Sequence, residues 1–290
     1  SMRLNVRPRQ VAPMRKTIVA TAALILAVSS LPPLAAASPR ETVRRTIPGV
    51  VLVVRTMPGE WPAAVRATGT GFVIHKSGYV LTAFHNLGST ASGYVNSTLY
   101  AYFVDADKPY DAPPRRAWRL KVVKTNYKLD LALLRIDAME ERGRLVAVPS
   151  GRKFPALELA DSDKVEPTDA VHALGFPLVA RTSGSIFSGI TVTAGQIVGL
   201  DREARWIKSG ASISPGNSGG PSIDREGRVI GINTMVRLEN QTQGRIALVR
   251  PINLARHLAK GTPAWDCFPV GVELAADDDE REPDDGEREP

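Results

Sequence analysis

The sequence predicts an all-β fold, on three observations. Between positions 50 and 251, short runs of β-branched and aliphatic residues alternate with Gly, Pro, Asn and Asp. Lys76-Ser77-Gly78 separates two of these runs as a hairpin turn would. Helical spacing emerges once, late in the chain. About a dozen strands at this spacing point to barrels or sandwiches rather than to alternating β/α units.

In chain order, Met14-Arg15-Lys16 leads into an apolar stretch at 18–28, then Ser29-Ser30-Leu31-Pro32-Pro33 and Ala35-Ala36-Ala37-Ser38. A positive start, a short apolar core and a small-residue site are the pattern of a secretory signal peptide over 1–37, cleaved near Ala37. The alternative is an uncleaved anchor, since no charge falls between Lys16 and Arg40. An apolar core of about ten residues is shorter than the ~20 that a spanning helix needs. The expectation is therefore an exported protein, periplasmic or secreted, that meets the membrane only through its signal.

The body follows over 38–262, with predicted strands at 50–54, 71–74, 79–82, 121–123, 131–136, 170–174, 190–193, 196–200, 228–234 and 245–249. A helix is predicted over 251–260, from apolar residues at Ile252, Leu254, Ala255, Leu258 and Ala259 and the terminal Gly261. From 263 to 290 an acidic tail is expected to be disordered, because Glu, Asp and Pro dominate it and it cannot bury enough apolar surface.

Composition narrows the function classes. Hydrophobic residues make up 43% and charged residues 23%, which is ordinary for a soluble globular protein. The net charge of +7 divides unevenly: five basic side chains lie before residue 17, and residues 271–290 hold ten acidic and two basic ones, so the middle carries a clear positive excess. Its Lys and Arg are scattered, without dense basic runs or interleaved aromatics, so nucleic acid is not an expected partner. The one cysteine, Cys267, cannot form an internal disulfide, and its neighbours Trp265 and Phe268 mark it as structural. No cluster has metal-ligand spacing, and neither metal nor cofactor is expected.

The chemistry concentrates in three places. Ser218 lies in Gly216-Asn217-Ser218-Gly219-Gly220-Pro221, where glycines let the backbone turn sharply and bring the Gly216 and Ser218 amides toward one point, an oxyanion hole. Of the four histidines, His85 follows a strand ending in Leu81-Thr82 and opens a loop, where a positioned base would stand. His75 lies at a turn, His172 in a strand run and His257 on the late helix, and these read as structural or surface. Asp130 stands at the mouth of the apolar run 131–136, 45 residues after His85 and 88 before Ser218. That order, His, Asp, Ser, is one of several by which unrelated folds reach the same triad. It places base and acid in the first half of the chain and the nucleophile in the second, with a site between two sub-barrels.

These residues carry a family resemblance. Gly69-Thr70-Gly71-Phe72-Val73-Ile74, Thr82-Ala83-Phe84-His85, Asp130 with the run 131–136, Leu174-Gly175-Phe176-Pro177 and the stretch 209–234 resemble the protease domain of HtrA/Deg-type, trypsin-like serine proteases, over about 45–262. The resemblance implies two six-stranded antiparallel β-barrels, about 46–145 and 155–250, followed by the helix. It also implies endopeptidase activity on polypeptides, no cofactor, and a triad of His85, Asp130 and Ser218 in the cleft. Too few residues follow the helix for the family's PDZ domain, so trimerisation is not implied and the oligomeric state stays open. Asn217 stands where animal digestive proteases carry the aspartate that receives a freed N-terminus, so that ion-pair activation is not expected. By the same analogy Ser212 and Ile213 lie at the base of the specificity pocket, with Thr234 and Met235 as a wall. No acidic residue occupies 209–217, which predicts small or medium aliphatic P1 residues. A catalytically silent peptide-binding protein on the same scaffold is the alternative.

Overall fold

Runs such as Val50-Val51-Leu52-Val53-Val54 are apolar at every position because both faces of the strand are covered. The computed structural model describes residues 38–56, 65–90, 93–94, 97–104, 116–177, 189–238 and 245–269. The signal segment 1–37 and the stretch 270–290 lie outside them.

The first barrel contains β1 (Val50–Thr56), β2 (Val65–His75), β3 (Tyr79–Ala83), β6 (Thr98–Phe103), β7 (Ala117–Asn126) and β8 (Leu131–Glu141), all paired antiparallel. Pairing of β3 with β8 closes it, and β9 (Arg144–Ala147) extends the sheet from β8. The short pair β4 (Ser89–Thr90) and β5 (Gly93–Tyr94) stands apart. The second barrel closes in the order β10 (Ala170–Gly175), β11 (Thr191–Asp201), β12 (Trp206–Ser209), β15 (Arg245–Pro251), β14 (Val229–Leu238) and β13 (Pro221–Ile223). Two closed six-stranded antiparallel barrels are thus present, as expected.

Strand alternation sorts the apolar residues into three cores. Val51 and Val53 of β1, with Ala132, Leu134 and Ile136 of β8, fill the first barrel. Val171, Ile197, Ile207, Ile230 and Val249 fill the second. Val50, Leu52 and Val54, on the opposite face of β1, join Leu133, Leu174, Ile223, Ile232 and Leu258 in a seam. A period-two pattern therefore operates even inside continuous apolar runs, directing alternate side chains to different cores.

The connection between barrels is pinned to both. Phe154 and Leu157 donate backbone hydrogen bonds to the Lys76 and Val73 carbonyls of the first barrel. Ala160 donates to Val229 of the second, whose own amide donates to Glu158.

Several expectations shift. The runs 190–193 and 196–200 form one strand, β11, bulged between Ile197 and Gly199. The helix expected over 251–260 begins as a 3-10 turn, Ile252–Ala255, before one α-helical turn, α2 (Arg256–Ala259). Asn253 explains the tight start: its N–H donates to Ser162 Oγ and its Nδ2 to Asp161 Oδ1, anchoring that turn to the inter-barrel connection. A helix α1 (Pro39–Thr46) precedes the first barrel where none was expected, because it buries only Thr42 and Thr46 and lacks an apolar stripe. The acidic tail begins later than position 263. A 3-10 turn at Pro263–Cys267 is capped by Thr262, and Ala264 and Phe268 are buried in the seam. Cys267 is half-buried there, and burial pushes its thiol pKa up, in keeping with a structural role. Among the described residues no helix is long and apolar enough to cross a membrane.

Leu133, fully buried in the seam, tests this arrangement. Leu133→Ala is expected to lower unfolding free energy by about 2–5 kcal/mol in urea titrations. Leu145→Ala, at an exposed position of β9, should change it by less than about 0.5 kcal/mol.

Candidate active site

The site is assembled across the seam between the barrels. Thr82-Ala83 ends β3, and a 3-10 turn, Phe84–Leu87, lifts His85 out of the sheet. Its side chain is 46% exposed, against 20% for Asp130. Asp130 ends the turn between β7 and β8 with a φ of +57°, a left-handed conformation that costs a non-glycine residue about 1 kcal/mol. Two hydrogen bonds exploit it. His85 Nδ1 donates to Asp130 Oδ2 at 2.8 Å, and the His85 backbone N–H donates to Oδ1 at 2.9 Å. The backbone is tied as well, because Phe84 N–H donates to the Asp130 carbonyl. The imidazole is thereby held with Nδ1 protonated and Nε2 left to accept.

Ser218 comes from the second barrel, on the loop before β13. Gly216 and Gly219 take φ values of +97° and +85°, which only glycine adopts without strain. At Gly219 space is a second constraint: a Cβ would lie 2.2 Å from the Thr70 carbonyl and 2.3 Å from Thr82 Oγ1. Among the described residues, the Gly216 and Ser218 N–H groups have no protein acceptor, and the arrangement can present both to an oxyanion.

The Ser218 loop is held by both barrels. Thr70 on β2 is fully buried; its N–H donates to the Ser218 carbonyl at 2.9 Å and its hydroxyl to the Gly216 carbonyl at 2.7 Å. That hydroxyl also accepts from the Phe176 N–H. Asn86, next to His85, donates through Nδ2 to the Ser218 carbonyl at 2.9 Å and to Thr82 Oγ1 at 3.0 Å. Within the second barrel, Gly219 N–H donates to the Asn233 carbonyl and Asn217 N–H to the Ser214 carbonyl. The structure therefore brings His85 and Asp130 into direct contact and fixes Ser218 to the same seam. The Ser218 hydroxyl donates to the Thr234 carbonyl at 2.8 Å, not to the imidazole.

The specificity candidates are differently placed. Ile213 is buried and joins the second core, Met235 is half-exposed, and Thr234 is buried. The Ser212 carbonyl accepts from Thr193 Oγ1. Asn217 is 2% exposed, and its Oδ1 finds no hydrogen-bond partner among the described residues. Among the described residues no group of three or more His, Cys, Asp or Glu side chains converges as a metal site would require.

A family model described as a trypsin-like peptidase domain matches residues 69–232. The chain belongs to that family. It is 31% identical over 192 residues to a probable periplasmic serine endoprotease, DegP-like, of Brucella suis, covering 66% of this chain and 32% of the relative. A protein of the same description from Pseudomonas putida F1 is 27% identical over 201 residues, covering 69% and 36%. The chain thus spans about a third of the length of the curated relatives it matches. Among solved structures, a serine endoprotease from Yersinia pestis shares the fold, with a TM-score of 0.54 and 24% identity over 79% of this chain and 66% of that one.

The sequence singles out His85, Asp130 and Ser218 as candidates but gives no role to Thr70, Asn86 or Asn126. Asn126 Oδ1 accepts from Leu129 N–H beside Asp130, and Asn126 Nδ2 donates to His257 Nε2. His257 Nδ1 donates to the Leu254 carbonyl, which leaves Nε2 unprotonated to accept. The signal available in sequence was weak: a small polar residue inside a strand or turn has many uses.

Thr70→Val keeps the side-chain shape but strands the Gly216 carbonyl and the Phe176 N–H. Urea unfolding should show a loss of about 1–3 kcal/mol with an unchanged m value. A loss under about 0.5 kcal/mol would mean that the clamp adds little to stability.

Proposed function

We propose that this protein is an exported serine endopeptidase that hydrolyses peptide bonds of unfolded or flexible polypeptides. The observation that carries the proposal is the oriented His85–Asp130 pair together with a serine loop clamped to the same barrel. In this reading the Ser218 hydroxyl leaves the Thr234 carbonyl and turns to His85 Nε2. Its oxygen attacks the substrate carbonyl carbon as Nε2 takes the proton. Asp130 stabilises the imidazolium without taking the proton itself. The oxyanion receives the Gly216 and Ser218 N–H groups. Collapse expels the amine, which takes the proton from His85, and water repeats the sequence to release the acyl group.

The apolar Ile213, with Ser212, Thr234 and Met235 and no carboxylate, favours small or medium aliphatic P1 residues. Export rests on the signal pattern at 1–37 and agrees with relatives named periplasmic. Polypeptide is the expected partner, with no nucleic acid, metal or cofactor.

One observation favours a second reading, a silent peptide-binding protein: the hydroxyl is bonded to a carbonyl rather than to the base. Resting hydrogen bonds in unliganded enzymes are often poorly aligned and tighten only with substrate, so the catalytic reading stands first. Fluorophosphonate labelling decides between them. Wild type is expected to label and to cleave a denatured polypeptide, whereas Ser218→Ala should not label and should lose turnover by about 10⁴-fold or more. Absence of labelling and cleavage in both, with binding of denatured protein intact in Ser218→Ala, would favour the silent scaffold. Dominance of Arg or Lys at P1 in a peptide library would overturn the specificity assignment.

A further inference from the structure

Arg250 is a charge inside a buried strand, between Val249 and Pro251 on β15, and is 8% exposed. A buried guanidinium needs compensation. Here it comes from three backbone carbonyls and a ring. Nε donates to the Leu129 carbonyl at 3.0 Å, and Nη1 donates to the Ala204 and Arg205 carbonyls at 3.0 and 3.1 Å. The guanidinium lies over the Trp206 ring, 3.4 Å from its centroid. Burial lowers its pKa to about 10, so it remains charged at neutral pH.

Ala204 and Arg205 belong to the turn between β11 and β12 of the second barrel and Trp206 opens β12, and together they fix the plane of the guanidinium. Among these hydrogen bonds, the one to Leu129 crosses to the first barrel. Leu129 immediately precedes Asp130, and its N–H is already held by Asn126 Oδ1 at 2.9 Å. Both polar groups of Leu129 are thus pinned, one from each barrel. Asp130 itself sits at a φ of +57°, a conformation that persists where its surroundings impose it.

We infer that Arg250 is a positioning residue for Asp130: anchored in the second barrel, it holds the Leu129–Asp130 peptide so that the carboxylate meets both His85 Nδ1 and the His85 backbone. Only arginine supplies this combination of a flat stacking face and several fixed donors; lysine keeps the charge but not the fork. The charged neighbours are Asp130 in the loop and Arg205 on the turn, with His257 and Lys124 on the helix side beyond Asn126. The inference rests on the catalytic reading of His85, Asp130 and Ser218.

The test uses the full chain and two readouts. The first is the low-field proton NMR signal of the His85 Nδ1–H···Asp130 hydrogen bond, recorded in a Ser218→Ala background and independent of turnover. Arg250→Met should broaden or abolish that signal through solvent exchange, and Arg250→Lys should retain part of it. The second is peptidase kinetics per labelled serine. Arg250→Met should lower kcat by about 10- to 100-fold with KM within about twofold, and Arg250→Lys should fall between. An unchanged signal and unchanged kcat in Arg250→Met would overturn the inference. If the parent protein neither labels nor cleaves, the catalytic reading fails, while the NMR signal still decides the role of Arg250. Should Arg250→Met not fold, Trp206→Leu removes the stacking face alone. It is expected to weaken the signal in the same direction, and no change would again overturn the inference.

Discussion

The hydrogen bonds that Thr70 sends from the first barrel into the serine loop of the second are the constraint on which the site depends. Through its N–H and its hydroxyl, one fully buried residue fixes the Ser218 and Gly216 carbonyls. A peptide group is planar, so fixing the Gly216 carbonyl orients the whole unit that joins Gly216 to Asn217. Asn86, one residue after His85, reinforces the same clamp. The turn that carries His85 therefore also holds the loop that carries Ser218.

This arrangement is possible because the seam has an apolar core of its own. Alternate residues of β1 and β8 serve the first barrel and the seam, so through 50–54 and 131–134 these strands have no solvated face to sacrifice. The hydrophobic contribution of the seam is spread over many side chains. The polar clamp adds geometry within it: buried hydrogen bonds are costly to break when only one partner is lost, and so they favour a single arrangement. The His85–Asp130 pair obeys the same logic. Its carboxylate is held by two donors from one residue, while the peptide behind it is gripped from both barrels.

The Ser218 hydroxyl, by contrast, is the adjustable part. It donates to the Thr234 carbonyl, within a loop whose carbonyl groups are firmly held. Rotation about one side-chain bond changes its partner without disturbing the clamp, since hydroxyl groups move between staggered wells at small cost. A rigid frame with one rotatable hydroxyl suits the proposed mechanism, in which substrate binds before the serine reacts.

The sequence by itself determined the all-β class, most strand positions and the three residues of the proposed triad, because these are encoded locally. Apolar runs and turn residues mark strands, and glycines around Ser218 mark a backbone conformation that other residues resist. It misplaced the start of the acidic tail, since Ala264 and Phe268 have no helical or strand period and their burial depends on a seam built elsewhere. It also missed α1, whose short polar sequence lacks an apolar stripe. Only the tertiary structure decided what Thr70, Asn86, Asn126 and Arg250 do. Their partners lie between 3 and 148 residues away along the chain, and several cross between barrels. A hydrogen bond across such a distance leaves no period or spacing in sequence, because its geometry exists only once both barrels have closed and met.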